Sequence, residues 1–324
     1  TTASTTTVPT TTTTLPATTT TVPRPPRAPL TGLPARSSAA VNRAAVVVKI
    51  DNVDDARPQT GINQADVVYE EMVEGGLSRL AAVFQSQLPD PVGPVRSGRT
   101  TDEGIIDDLN EPVFAYSGAN ADFLAALYLQ PVHNVNADNH PDLFFRGGTH
   151  LAPHNLFANA TQLVTLAGAS KGRPPVLFDY RSPRQRSPGS GATPTASATL
   201  AFPSASAVWT WYAKTDSWLR DQDGTPDVDT AGVQVSAANV VIQAIPYSSP
   251  LIEANGTPIP EGEMVGSGQA WILTAGQMLP ATWNRADLTS TTTYTDSAGK
   301  SVLLTPGKTW VELLPTGTTP SFRP

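Results

Sequence analysis

Runs of apolar residues divide the chain into a first half with mixed signals and a strand-rich second half. In the first half, short β-branched or alternating runs predict strands. These runs cover residues 45–50, 66–73, 79–85, 113–116 and 176–180. Glu74-Gly75-Gly76 lies between the second and third runs. It predicts a hairpin, because glycine adopts positive φ without strain.

Helix signals alternate with these strands. A capping-box pattern at Thr100 predicts a helix that runs through Leu109. Asn120 is a candidate cap for a helix through Leu129. Another helix is predicted to begin near Asn155. This order of elements predicts an α/β domain of the mixed α+β kind, with antiparallel pairs.

The second half predicts a small, mainly β domain, either a sandwich or a barrel-like unit. Residues 207–213 alternate with period two, as in a half-buried strand. Asp223-Gly224 and Ala298-Gly299 are typical of hairpin turns. Further strands are predicted at residues 239–246, 270–274 and 309–314.

Composition places the predicted boundaries. All four histidines lie in the first half and all six tryptophans in the second, with a Pro/Gly/Ser-rich stretch between them. The tryptophans are predicted to fill core positions of the β domain. The predicted units are a stalk, an α/β domain, a linker, a β domain and a tail. Their bounds are residues 1–28, 29–180, 181–206, 207–315 and 316–324.

The stalk is almost entirely Thr, Pro, Ala and Val. It lacks periodic large apolar residues, so it is predicted to be disordered and dispensable for folding. Such segments tether secreted domains to a surface, although a plain disordered tail is the alternative.

Composition also excludes several classes of protein. The net charge is −7 with no basic stripe, which disfavours nucleic acid as a partner. Cysteine is absent, so there is no disulfide framework. No phosphate-binding or dinucleotide-binding glycine loop is present, and no cofactor is expected. His150 and His154 have helical metal-ligand spacing, but Pro153 lies between them and no metal site is predicted.

Several long motifs resemble those of the YerB-type family of bacterial lipoproteins. In the first half they are PLTGLP at residues 29–34, residues 56–80, GPVRSGR at 93–99 and PHNLF at 153–157. In the second half they are residues 239–247, 266–285 and 304–315. The resemblance implies an extracytoplasmic protein, held at the membrane by a lipid anchor upstream of residue 1. It implies an N-terminal α/β domain and a C-terminal β domain, but no reaction.

Carboxylates on the second predicted strand are candidates for acid–base chemistry. Strand alternation places Glu71 on one face with Tyr69, and Glu70 with Glu74 on the other. A half-buried glutamate can have a raised pKa and act as an acid or a base, which makes Glu71 and Glu74 candidates. The alternative is an ion pair between Glu71 and Arg79 across the hairpin.

Arginines beside a predicted helix start suggest an anion site. Arg96 and Arg99 flank Ser97-Gly98, and two guanidinium groups near a helix N-terminus favour phosphate or carboxylate. We expect both to reach the same cavity as Glu71. The alternative is that they pair with the nearby acids at 102, 103 and 107.

His154 is the third candidate for acid–base chemistry. With Asn155 it is predicted to form a hydrogen-bonding pair at a helix start, where it serves either as a general base or in a structural role. The predicted ligand-binding residues are Arg79, Arg96, Arg99, Asn155 and Tyr116.

Three functions follow from this sequence. The first is an envelope protein that binds an anionic or polymeric ligand in a cleft of the first domain. The second is a hydrolase or transferase acting on an envelope glycan or phosphate ester through Glu and His. The third is a structural or partner-binding protein that acts through its β domain. The sequence leaves open whether the protein is an enzyme.

Overall fold

An 11-stranded β-sheet runs through both halves of the chain in the computed structural model, which describes residues 1–4, 25–168, 172–182, 185, 187–252 and 256–324. The strands of the first half, in all sheets, are β1 (Val46–Asp51), β2 (Val67–Met72), β3 (Ser78–Phe84), β4 (Val113–Tyr116), β5 (His133–Asn136), β6 (Phe144–Arg146) and β7 (Leu156–Ala158). The strands of the second half are β8 (Thr193–Pro194), β9 (Ser197–Phe202), β10 (Ala205–Tyr212), β11 (Ser217–Gln222), β12 (Thr225–Pro226), β13 (Ser236–Ala237), β14 (Asn239–Ile245), β15 (Tyr247–Ile252), β16 (Pro258–Gly262), β17 (Gly266–Thr274), β18 (Gln277–Arg285), β19 (Thr293–Thr295), β20 (Thr309–Pro315) and β21 (Ser321–Arg323).

The helices of the described residues are short. The α-helices are α1 (Ser38–Asn42), α2 (Glu103–Ile106), α3 (Ala121–Leu127) and α4 (Ala160–Leu163). Single 3₁₀ turns occur at Asp54–Ala56, Ile62–Gln64, Glu74–Gly76, Thr100–Asp102, Asp107–Leu109, Pro141–Leu143 and Val164–Ala167.

Strand β20 joins the two halves. The central sheet has the order β19-β18-β17-β14-β20-β2-β3-β1-β4-β5, and β8 pairs with β18. Strand β20 lies between β14 and β2 and is parallel to both. Its residues are buried except for the partly exposed last one, as expected for a parallel strand covered on both faces. The last long strand of the chain therefore completes the sheet of the first half.

Each face of the central sheet is covered by different elements. One face packs against a six-stranded sheet of order β12-β11-β10-β9-β21, in which β13 also pairs with β11. Trp209 and Trp218 of this second sheet and Trp310 of β20 lie in the core between the two sheets. The other face packs against apolar residues of α2 and α3, including Ile105 and Phe123. The expected core position of the tryptophans is confirmed for those named here.

Charged side chains are buried where the two halves meet. Arg220 donates to Glu70 at 2.6 Å and to Asp227 at 2.6 Å, and Trp209 donates to Glu312 at 2.7 Å. All four charged groups are buried. Burial raises the pKa of Glu312 well above its usual value, and the adjacent Glu70 adds to this rise. Burial at the junction therefore favours the neutral form of Glu312.

The sequence predicted most elements of the first half correctly. The hairpin between β2 and β3 is present, and Gly75 has a φ of 70°. Asn120 caps α3 by accepting from the Phe123 amide at 2.8 Å. The order of an α/β part followed by a mainly β part is confirmed.

Three local predictions were wrong. The helix predicted near Asn155 is strand β7 at that point, and α4 begins only at Ala160. The strand predicted at residues 176–180 is reduced to a single bridge from Tyr180 to Leu304. At residue 99 the capping carboxylate is Asp102, not Glu103. In each case a long-range contact or a neighbouring carboxylate outweighed the local pattern.

The predicted connecting segments contain strands. Residues 181–206 include β8 and β9, and residues 316–324 include β21, which pairs with β9. The segments predicted as linker and tail therefore contribute strands to the two large sheets.

The folded part begins before residue 29. Arg27 forms a bridge with Pro34, and the Ala28 amide donates to the Leu33 carbonyl at 2.9 Å. Ala28 is buried. The predicted stalk is therefore too long at its C-terminal end, while the disorder predicted for residues 5–24 lies outside the described residues.

Two truncations test this boundary. Removing residues 1–24 should leave the melting temperature unchanged, because their composition cannot form a core. Removing residues 1–28 should lower it by a few degrees, since hydrogen bonds and burial worth about 1–3 kcal/mol are lost. Calorimetry of both variants provides the measurement. Equal melting temperatures would show that residues 25–28 contribute nothing to stability.

Candidate functional site

Charged residues meet at one edge of the central sheet. Strands β1, β2, β4, β5 and β20 are parallel to one another, so their carboxyl ends share this edge. Glu71, Arg79 and Asp51 are register partners across β2, β3 and β1. Ligands of open α/β sheets commonly bind beyond this edge.

Glu71 lies in a fully buried ion cluster. Lys49 forms an ion pair with Glu71 and donates to Asp102 at 2.8 Å, and the side chains of all three have no exposed surface. The second carboxylate oxygen of Asp102 accepts from the Arg99 amide at 2.7 Å. One Glu71 oxygen has no partner among the described residues. Glu71 therefore cannot touch a ligand in an open cleft.

The Glu71 cluster contains more acid than base. Burial and the Asp102 carboxylate raise the pKa of Glu71 to about 7, against the opposing effect of Lys49. A raised pKa is what a candidate acid or base requires, but its cause here is burial among ions inside the protein. The Lys49 partner was not predicted; the alternative expected was Arg79.

Glu74 and Arg99 form a second ion pair. Arg99 binds Glu74 with two hydrogen bonds, Nε to Oε1 at 2.6 Å and Nη2 to Oε2 at 2.8 Å. Partial burial favours the neutral acid, but the hydrogen bonds and charge of Arg99 outweigh it and leave the pKa of Glu74 below its usual value. Because β2 ends at Met72, Glu74 turns toward Arg99 and does not share the Glu70 face as predicted.

Arg79 supports this second pair. Its guanidinium lies 4.0 Å from Glu74 and donates to the Ser97 carbonyl at 3.2 Å. Burial and the nearby Arg99 lower the pKa of Arg79 to about 10. Arg79 thus anchors the loop that carries Arg96, and only 11% of its side chain is exposed.

Asp51 lies between Arg96 and His154. Its Oδ2 atom is 3.0 Å from Arg96 Nε and 2.8 Å from His154 Nδ1. The Asp51 side chain is 2% exposed, whereas those of Arg96 and His154 are 27% and 18% exposed. The basic members of this trio are thus more exposed than Lys49, Arg79 and Arg99 in the other two clusters.

Two open cavities flank Asp51. The cavity on the Arg96 side measures about 450 Å³. It is lined by Arg96, Ser97, Ser117, Ala137, Asp138, Pro141, Phe144, Phe145, Arg146, Pro153 and Leu156. The cavity on the His154 side measures about 500 Å³ and is lined by Asp54, Asp55, Arg57, Thr149, His150, Leu151, Ala152 and His154. We call them the arginine cavity and the histidine cavity.

The remaining predicted residues lie away from the Asp51 trio. The Tyr116 hydroxyl donates to Asn134 at 2.7 Å, and burial raises its pKa to about 12. Asn155 accepts from Arg146 at 2.7 Å, so it positions a wall residue of the arginine cavity. His154 pairs with Asp51 instead of with Asn155.

The structure divides the predicted site among three clusters. Arg96 lines an open cavity, while Glu71 is enclosed and Arg99 is held by Glu74. Sequence reasoning missed Lys49, Asp51 and Arg146. The signal for Lys49 was available, because a lysine inside a β-branched run must be paired if that strand is buried.

The fold and the site define a structural class. It is a two-part protein in which an α/β part and a β part share one sheet, with ion pairs along the carboxyl edge of that sheet. The chain belongs to the DUF3048 family, described as "Protein of unknown function (DUF3048)". The N-terminal domain of that family matches residues 30–173 and the C-terminal domain matches residues 198–311. The predicted resemblance is confirmed.

Relatives carry the YerB name. The chain is 27% identical over 306 residues to "Putative lipoprotein YerB" of Bacillus subtilis, covering 89% of this chain and 86% of that protein. The crystal structure of the Bacillus subtilis YerB protein matches with a TM-score of 0.76 and 24% identity, covering 91% of this chain and 99% of that one. The structural likeness shows a shared fold. No helix within the described ranges is long and apolar enough to cross a membrane.

The pKa of Glu71 predicts how stability depends on pH. Because folding raises this pKa from 4.5 to about 7, the stabilising contribution is complete below pH 4.5 and is lost as the pH rises through 7. Glu71→Gln lacks this loss. Its free energy of unfolding relative to the wild type should therefore rise by about 3 kcal/mol between about pH 4.5 and about pH 8, measured by urea denaturation.

Glu74→Gln is the matched control on the same hairpin. Its pKa is lowered, so this variant should lose stability relative to the wild type at all pH values above about 5. A Glu71→Gln difference that does not change with pH would contradict the assigned role of Glu71.

Proposed function

We propose that this protein is an extracytoplasmic, lipid-anchored envelope protein that binds an anionic envelope ligand in the arginine cavity. The observation that carries the proposal is the presence of Arg96 and Arg146 in the wall of one open cavity. Two guanidinium groups favour a carboxylate or a phosphate. Ser97 and Ser117 line the same cavity, and their hydroxyl groups offer further hydrogen bonds.

The loop that carries Arg96 is well anchored. The Arg96 amide donates to the Lys49 carbonyl at 2.8 Å, and the Arg96 carbonyl accepts from the Ser117 amide at 3.0 Å. The loop is thus tied to β1 and to the end of β4. A preorganised guanidinium loses less entropy when it binds an anion.

Apolar side chains that line the arginine cavity favour a sugar ring. Phe144, Phe145, Pro141 and Pro153 line the arginine cavity. Flat apolar groups beside cations suit a ring that carries a negative charge, such as a uronic acid. Asp138 also lines this cavity and can accept hydrogen bonds from sugar hydroxyls.

Two observations support an anchored location. The Bacillus subtilis relative is named a lipoprotein, and the first 28 residues have the composition of a stalk. The chain enters the fold at residues 27–34, and the Gly307 amide, just before the amino end of β20, donates to the Thr31 carbonyl at 2.8 Å. Asp51 ends β1 on the opposite edge. A protein tethered through its N-terminus would therefore present the arginine cavity away from the membrane.

Binding of a galacturonate oligomer tests the proposal. The double variant Arg96→Gln, Arg146→Gln should bind at least about tenfold more weakly by isothermal titration calorimetry, because both cationic contacts are removed. Arg57→Gln is the matched control, since Arg57 lines the histidine cavity and also pairs with an aspartate. Its affinity should stay within about twofold of the wild type. Equal affinity of the double variant, at an unchanged melting temperature, would overturn the proposal.

A hydrolase is the second candidate, and the Asp51–His154 pair favours it. A carboxylate that holds one ring nitrogen orients the other for proton transfer. Since Glu71 is enclosed and Glu74 is bound by Arg99, His154 is the candidate base with the best access to solvent. Water would attack phosphorus, His154 would take its proton, and the ester oxygen would leave with that proton.

This candidate predicts turnover of bis(p-nitrophenyl) phosphate. His154→Gln should reduce the rate by at least about 100-fold, because general-base catalysis contributes that much. His150→Gln is the control from the same cavity. No turnover by the wild type, or equal turnover by His154→Gln, would exclude this use of His154.

A further inference from the structure

One carboxylate oxygen of Asp51 is in contact with both basic groups of the trio. Asp51 Oδ2 lies 3.0 Å from Arg96 Nε and 2.8 Å from His154 Nδ1. Asp51 is almost completely buried, so solvent screens these charges only weakly. A change in the charge of His154 therefore changes the electrostatic potential at Arg96.

The protonation state of His154 sets the net charge of the trio. With neutral His154, the charges of Asp51 and Arg96 cancel. With protonated His154, the trio carries one positive charge. An anion in the arginine cavity, which Arg96 lines, is then attracted more strongly. Histidine is the side chain that ordinarily changes charge between about pH 5 and 8.

Other charged groups face His154 from several elements. They come from the end of β1, the Asp54–Ala56 turn and the residue that follows it, the loop after β3 and the loop before β7. These groups are Asp51, Asp54, Asp55, Arg57, Arg96 and His150. Arg57 is paired with Asp54, which leaves Asp55 as a second acid in the histidine cavity. Three aspartates and two arginines thus surround His154.

We infer that anion binding in the arginine cavity is coupled, through Asp51, to protonation of His154. This inference rests on the proposed function. The coupling makes the affinity for the anion higher at acidic pH. By thermodynamic linkage, binding of the anion then also favours uptake of a proton by the protein. The protein would hold its anionic ligand in an acidified envelope and release it as the pH rises.

The experiment measures galacturonate-oligomer affinity at about pH 5.5 and about pH 8, between which an ordinary histidine titrates and a sugar carboxylate stays ionised. Wild-type protein should bind about fivefold more tightly at the lower pH. In His154→Gln this ratio should fall to about one, because no proton can be taken up there. His150→Gln should keep the wild-type ratio, since His150 lines the histidine cavity but forms no ion pair with the described residues.

Asp51→Asn supplies an independent readout. It removes the negative charge that offsets Arg96, so its affinity at about pH 8 should exceed that of the wild type by about fivefold. Thermal melting of each variant confirms that the fold is retained. Wild-type binding with equal affinity at both pH values, or an unchanged ratio in His154→Gln, would overturn the coupling alone. No wild-type binding at either pH would overturn the proposed function and the coupling together.

Discussion

The structure depends on the insertion of β20 between β14 and β2. A parallel strand in the middle of a sheet is covered on both faces, so every residue on it must be apolar or paired. Glu312 meets this constraint by lying beside Glu70 and accepting from Trp209. The second half must therefore fold onto the first for either to be complete. The two matched domains of this chain thus contribute strands to one sheet.

The same constraint accounts for the unusual amount of buried charge. The sheet edge at β1 to β3 carries Lys49, Glu71 and Asp51 on one face. Since ions leave water only when paired, the protein encloses the first two with Asp102. Asp51 alone pairs with side chains that reach solvent. Of Lys49, Glu71 and Asp51, only Asp51 is therefore in contact with side chains that an external ligand can reach.

Most of the secondary-structure elements could be predicted from the local sequence. Only some residues of the candidate site could be predicted in this way. The β2–β3 hairpin and the Asn120 cap are short-range features, which local residue choice decides. Arg96 and His154 were recognisable by residue type and by their place beside strands. Arg146 was not, because its approach to Arg96 depends on the β6–β7 hairpin and not on sequence distance.

By itself, the sequence determined the order of an α/β part and a β part, the family resemblance and the acidic, cysteine-free composition. Only the tertiary structure decided which charges pair. Strand alternation gives the face on which a side chain lies, but not the neighbour that comes from a distant strand. Asp51 thus faces His154 across 103 residues of chain, and Glu70 faces Arg220 across 150. Pairing over such separations is set by how the sheets pack, since the energy of an ion pair depends on distance and burial in space.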